Sequence, residues 1–380
     1  MLFSSLPGQK QLKSALINNV NTNRIAHANL FYGKVGVGKL PLAVATAQYI
    51  HCENKTETDA CGACKACKKN EKLIHPDTHF VLPIYSRKHG STEILTSDDF
   101  VDQFRELFKA NPYLSVQQWI TTFNQENKQA SITIGDIRRL QKKALYKPLE
   151  SESKIIIIWN IDKINNDAAN SFLKFLEEPP PQTFIFLTTE NTTQLLPTIL
   201  SRCQKTFVPG IQAQEISDFL VQRYEAPKQR ALEIASMAEG SIGSAIEMLE
   251  ITEQPFTPIF IEWMRVCYKG LLNEIESWAK KMSSESKENQ KIFLKFSTQK
   301  LRDSLLFAVQ QSSSSGSLAH LLHLSQEESQ FFINFSKFLT LEKIERIFQT
   351  VEQHLYYVTR NANAYMLFYT LSLKINEILK

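Results

Sequence analysis

Long apolar runs are absent from this 380-residue chain. Stretches such as Ile155 to Trp159 fall far short of the ~20 residues a membrane-spanning helix needs, so no membrane is expected among its partners. A large excess of one charge is missing as well. The 43 Lys and Arg against 39 Asp and Glu leave a formal +4, too little to name nucleic acid as a partner by itself. Met1-Leu2-Phe3-Ser4-Ser5-Leu6-Pro7 lacks the charged and apolar regions of a secretory signal, and a cytoplasmic location is the default expectation. Six cysteines in a chain this long do not make a disulfide scaffold, and four of them are clustered. No repeat of fixed period is found. The hydrophobic share of 43% and charged share of 22% fit a globular protein with a substantial core and room for two or three domains.

What is present is organised around Gly33-Lys34-Val35-Gly36-Val37-Gly38-Lys39-Leu40. This stretch follows the apolar run Ala28 to Tyr32 and leads into a helical segment from Leu40 to Ile50, the strand–loop–helix context of a phosphate-binding loop. Gly33, Gly36 and Gly38 would let backbone N–H groups converge on phosphate oxygens, and Lys39 would add a point charge. The eighth position calls for a Ser or Thr hydroxyl on Mg²⁺. Leu40 stands there, and a leucine cannot ligate a hard cation.

Cys52, Cys61, Cys64 and Cys67 come next, separated by eight, two and two residues. Two overlapping Cys-x-x-Cys pairs and one upstream thiol offer four soft ligands to a tetrahedral ion, which suits Zn²⁺. The alternative is a set of reduced surface thiols, an oxidation hazard at this density. Four thiolates leave no open position, so the zinc is read as structural rather than catalytic. Lys65, Lys68, Lys69 and Lys72 around this module read as a solvated face, and His75 beside Pro76 as a turn residue.

Residues 83 to 131 read as an insertion. It holds a loop at 87–91, a helix with Phe100, Val101, Phe104, Leu107 and Phe108 on one face, and a short helix with Val116, Trp119, Ile120 and Phe123. Aromatic stripes at this spacing are read as core rather than as a nucleic-acid platform. A helix from Gly135 to Tyr146 precedes Lys154 to Trp159, the strongest strand signal and the expected centre of the sheet. A working ATPase ends this strand in an acidic pair that holds the metal shell and aims the attacking water. Trp159 and Asn160 occupy those places, and the nearest acid, Asp162, reads as a turn or cap. A helix halted at Pro179 and Pro180, an apolar run Thr183 to Thr189 and Ser201-Arg202-Cys203 follow. Three or four apolar strands alternating with helices argue for a parallel α/β sheet. Beyond Pro209 the pattern is helical, with three short helices over 210–250 and long amphipathic segments after them, interrupted by a serine run at 312–317 that reads as disordered.

Taken together, Arg24 to Ala28, the phosphate loop, the four-cysteine module, Asn170 to Pro180 and Ser201-Arg202-Cys203 resemble the bacterial DNA polymerase III clamp-loader family of AAA+ proteins. Within it they resemble the non-hydrolysing delta-prime members. The resemblance covers about residues 6–82 and 132–250, and its implications are specific. It implies an AAA+ domain over 1–208, carrying the zinc module at 52–67 and the insertion at 83–131. A helical lid over 209–252 and a helical collar over 253–380 follow. It implies that Arg202 is an arginine finger offered in trans to a neighbour's ATP site. Gly33, Gly36, Gly38 and Lys39 become a vestigial phosphate loop, with ATP binding left open. Gly243, in Gly240-Ser241-Ile242-Gly243, stands where the motor subunit carries a nucleotide-sensing arginine. The implied partners are the gamma/tau motor subunits and delta, with the sliding clamp and primer-template DNA met through the assembled complex. No intrinsic ATPase is expected, only an accessory role in a DNA-directed DNA polymerase holoenzyme. Two alternatives remain at this point: an active gamma-like motor using Asp162 as its metal-shell acid, and a stand-alone zinc-dependent nucleic-acid binder.

Overall fold

The computed structural model describes residues 1–85, 95–123, 130–251, 256–312, 340–360 and 362–380. The loop expected at 87–91 and residues 313–317 of the serine run lie outside the described residues. The chain divides into two compact units, one of 1–215 with 239–244 and one of 216–238 with 245–380.

Among its described residues, the first unit is built on five parallel strands: β1 (Ala28–Tyr32), β2 (Thr78–Val81), β3 (Lys154–Ile158), β4 (Thr183–Thr189) and β5 (Gln204–Phe207). Their order is β2-β3-β4-β1-β5, so β4 and not the isoleucine-rich β3 is the central strand. Every residue of β3 is nonetheless buried, as expected of a parallel strand covered on both faces. On one face Leu30, Ile156, Ile158, Ile185 and Leu187 pack with Ile137 and Leu140 of α6 (Ile134–Leu145) and Phe172 of α7 (Asn166–Glu177). α2 (Lys39–His51) packs on β1, β3 and β4 and is buried along almost its whole length. Because all strands run the same way, the segments after β1, β3 and β4 emerge at one edge of the sheet, where open α/β folds place their ligands.

The described part of the insertion holds a 3₁₀ turn (Ser97–Phe100), α4 (Val101–Ala110) and α5 (Val116–Thr121). Its aromatic stripe is core: Phe104 and Trp119 are fully buried, and the Trp119 indole N–H donates to the Pro83 carbonyl at 2.8 Å. The return into α6 is fixed by one carboxylate. Asp136 accepts from the backbone N–H and hydroxyl of Ser97 and from those of Thr133, closing a capping box.

The second unit is helical. α12 (Phe256–Lys269) and α13 (Leu272–Ser283) pack against the last helix, Ala364–Leu379, and α14 (Lys287–Ser312) runs beside Leu341–Thr359. Trp263 and Trp278 stack at 5.0 Å, and Trp263 Nε1 donates to Ser372 Oγ at 2.8 Å, giving the buried indole the partner its polar edge needs. No described helix is long and apolar enough to cross a membrane.

Candidate functional site

The glycine loop leaves β1 as its sequence demands. Gly36 and Gly38 have φ of 70° and 98°, in the left-handed region, and Lys39 opens α2. Lys39 is buried, and its ammonium donates to the carbonyls of Gly33 at 2.8 Å and Lys34 at 2.5 Å. Burial pulls its pKa down to about 8, against the opposing pull of Glu190 and Asp162. Leu40 is buried in the first turn of α2 and presents no oxygen.

The two residues after β3, where an acidic pair is expected of a working ATPase, are engaged in structural contacts. Trp159 packs its ring on Phe104 and Trp119 of the insertion, at 5.7 and 6.4 Å. Asn160 holds φ of 50°, a conformation asparagine tolerates better than most residues. Its backbone N–H donates to Thr188 Oγ1 and its amide to Glu190 Oε1, both at 2.9 Å. Asp162 is almost fully buried, accepting from Thr189 Oγ1 at 2.8 Å with Lys163 Nζ at 3.5 Å. Asp162 sits in the 3₁₀ turn Ile161–Lys163, but its side chain ties that turn to the end of β4, and the cap of α7 is Asn165 instead.

Close approach to the loop is made by the protein itself. A Cβ at Gly36 would lie 2.3 Å from Ser241 Oγ, and the Gly243 N–H donates to the Gly36 carbonyl at 3.1 Å. A Cβ at Gly38 would lie 3.1 Å from the Tyr113 ring, and one at Gly243 would lie 2.6 Å from the Tyr113 carbonyl. Neither Tyr113 nor its meeting with Gly243 is readable from the sequence. The one hint is a glycine at 243, where the resemblance implies a sensor arginine in the motor subunit.

Arg202 lies between α8 (Pro197–Leu200) and β5. Its guanidinium donates to Glu177 Oε1 at 2.6 Å and to the Thr198 carbonyl at 3.0 Å, while the neighbouring Cys203 is buried. The pair is surface-exposed, with side chains 35% and 50% accessible, a setting in which ion pairs contribute only ~0–1 kcal/mol.

The four cysteines converge between α2 and α3 (Lys65–Glu71), their Sγ atoms all within 4.8 Å of one another. Four sulfurs at ~2.3 Å from a tetrahedral zinc would be ~3.8 Å apart. Cys61 and Cys67 are at 3.9 Å, so the set fits such an ion. Backbone N–H groups are aimed at the sulfurs: Cys61 N at Cys52, Cys64 N at Cys61 and Cys67 N at Cys64. The N–H groups of Cys64 and Ala63 draw the Cys61 thiol down to about 6, whereas burial pushes Cys52 and Cys67 up. His75 does form a turn, accepting from Thr78 N through its carbonyl, and also stacks on His51 at 4.1 Å.

Comparison with known proteins matches residues 8–211 to the family described as DNA polymerase III, delta subunit. The chain is 30% identical over 240 residues to the DNA polymerase III subunit delta' of Bacillus subtilis, covering 63% of this chain and 59% of that protein. It is 27% identical over 217 residues to subunit delta' of Pseudomonas aeruginosa, covering 57% and 53%. Subunit tau of Escherichia coli is 27% identical over 254 residues, covering 65% of this chain and 32% of that one.

Proposed function

The chain belongs to the DNA polymerase III delta-subunit family, and we propose that it serves there as a delta-prime-type clamp-loader subunit. In this role it cleaves no ATP and lends Arg202 to a neighbouring motor subunit. The observation that carries the reading is the loss of oxygen ligands around a retained loop. Leu40 and Trp159 are buried and carry no oxygen that could ligate Mg²⁺ or aim a water, and Asn160 brings a neutral amide whose N–H is spent on Glu190. The 30% identity to a subunit named delta' supports it, beside tau and gamma relatives at 23–27% identity.

A guanidinium at a subunit edge acts by meeting charge that develops on a transferring phosphoryl group. Glu177 holds Arg202 only through an exposed pair, so docking against an anionic neighbour releases it at little cost. The four-cysteine set would hold a structural Zn²⁺, which supplies cross-linking rather than chemistry here. Residues 209–252 and 253–380 are assigned as lid and collar. Gamma/tau and delta subunits are the partners, and the clamp and primed DNA are met through the complex.

The competing reading, a gamma-like motor, rests on the tau similarity and needs Asp162 at the metal. Asp162 is near enough to Lys39 to act on its charge, but one of its oxygens accepts from Thr189 and the other faces Lys163, and this engagement counts against a metal role. A stand-alone nucleic-acid binder would need a basic excess that a net charge of +4 does not supply. Co-purification with motor and delta subunits tests the proposal, followed by ATPase assay of the complex with and without this chain. Failure to assemble, or turnover indifferent to the chain, rejects it.

A further inference from the structure

A phosphate loop carries glycines so that a ligand can approach its backbone closely. In this chain the close approach at both inner glycines is made by protein: Ser241 and Gly243 at Gly36, Tyr113 at Gly38. The sides of the loop on which these glycines lack a Cβ are therefore taken up by protein.

We propose that the 111–114 turn of the insertion is the permanent occupant of the phosphate loop, with Tyr113 as the residue that decides what the loop accepts. Tyr113 is buried, on the turn after α4, where its N–H donates to Asn111 Oδ1 at 2.9 Å. The turn is pinned from both sides. Phe104 of α4 and Trp119 of α5 press on Trp159, and Ser115 caps α5 through a reciprocal bond with Gln118. Two substitutions that remove catalysis thereby acquire a common cause. Trp159 gives the insertion an aromatic floor in place of a metal-shell acid. Gly243 lets the Tyr113 carbonyl approach to a distance that any side chain would block. The Gly243 N–H bond to Gly36 then closes residues 241–243 over the loop, and the exposed Lys34–Glu239 pair at 3.2 Å continues the closure outward.

The proposal rests on the non-hydrolysing reading above but is tested separately, by binding. The probe is N-methylanthraniloyl-ADP, followed by fluorescence on the full-length chain and displaced by unlabelled ADP. Wild type and Tyr113→Phe, which keeps the ring, are expected to show no saturable binding up to about 1 mM. Tyr113→Ala, checked for folding by circular dichroism, is expected to bind at least about tenfold more tightly, and adding Lys39→Ala should abolish the gain. Saturable, displaceable binding by wild type overturns the proposal, as does a folded Tyr113→Ala that binds no better. Should that variant not fold, amide hydrogen exchange of the wild type decides. Protection at 36–40 and 111–114 is expected to be the same with and without millimolar ATP, and new protection at 36–40 rejects the plug. Binding without cleavage would overturn this inference alone and leave the proposed function standing.

Discussion

Asn160 and Trp159 stand where the resemblance expects an acidic pair, and neither leaves a hole. Each replacement is held by its own contacts, one by Glu190 and Thr188, the other by Phe104 and Trp119. The substitutions themselves stand in the sequence; their partners, dozens of positions away, do not. The Arg202–Glu177 pair is of the same kind, since the motif names the arginine and only the structure supplies the carboxylate. Arg202→Ala should leave the melting temperature of the chain unchanged. In a reconstituted complex it should lower turnover at the motor site it faces by on the order of 10³. Equal turnover with wild type and variant would remove the finger from the account. His79 offers a pH test. Burial, with Lys143 and Lys154 nearby, depresses its pKa from 6.5 to about 4. Between those values the unfolded chain binds a proton that the folded chain does not, so stability falls as pH drops through the window. Urea unfolding should show a loss on the order of 2 kcal/mol from pH 7 to 4, and His79→Asn should flatten part of it. A variant curve parallel to wild type would show that His79 is not the group responsible.

Elements with a strong local pattern were legible. β1 and β4 fall on their apolar runs residue for residue, and α4 and α5 follow the aromatic stripes that predict them. β5 escaped, because Gln204-Lys205-Thr206-Phe207 is a largely exposed edge strand paired only with β1 and carries no apolar alternation. The expected central place of β3 was wrong for a related reason. Covered strands look alike in sequence, and order comes from pairing. For the insertion, fold was readable and destination was not. Trp119→Ala should cost about 3–5 kcal/mol in chemical denaturation by opening a cavity beneath Trp159. A loss below about 1 kcal/mol would mean that the insertion is not seated there. The cysteine module was legible from spacing alone. Metal analysis should return one zinc per chain, and Cys64→Ser should lose it together with thermal stability. Metal-free protein of unchanged stability, prepared without chelator, would refute the zinc.

At the scale of the whole molecule, the sequence indicates an α/β part followed by helices, and the structure forms two compact units. The first of them recruits 239–244 back to the phosphate loop. That return is invisible to periodicity, since it is carried by single hydrogen bonds and glycine contacts over a long stretch of chain. In the proposed role, the cradle, its missing oxygens and its protein occupant fit a subunit that keeps the form of an ATPase and contributes a cation to a neighbour's reaction. Steady-state ATP hydrolysis by the purified chain alone, with Mg²⁺ present, tests this most directly. The account predicts a rate indistinguishable from that of Lys39→Ala. Sustained turnover that Lys39→Ala abolishes would contradict it.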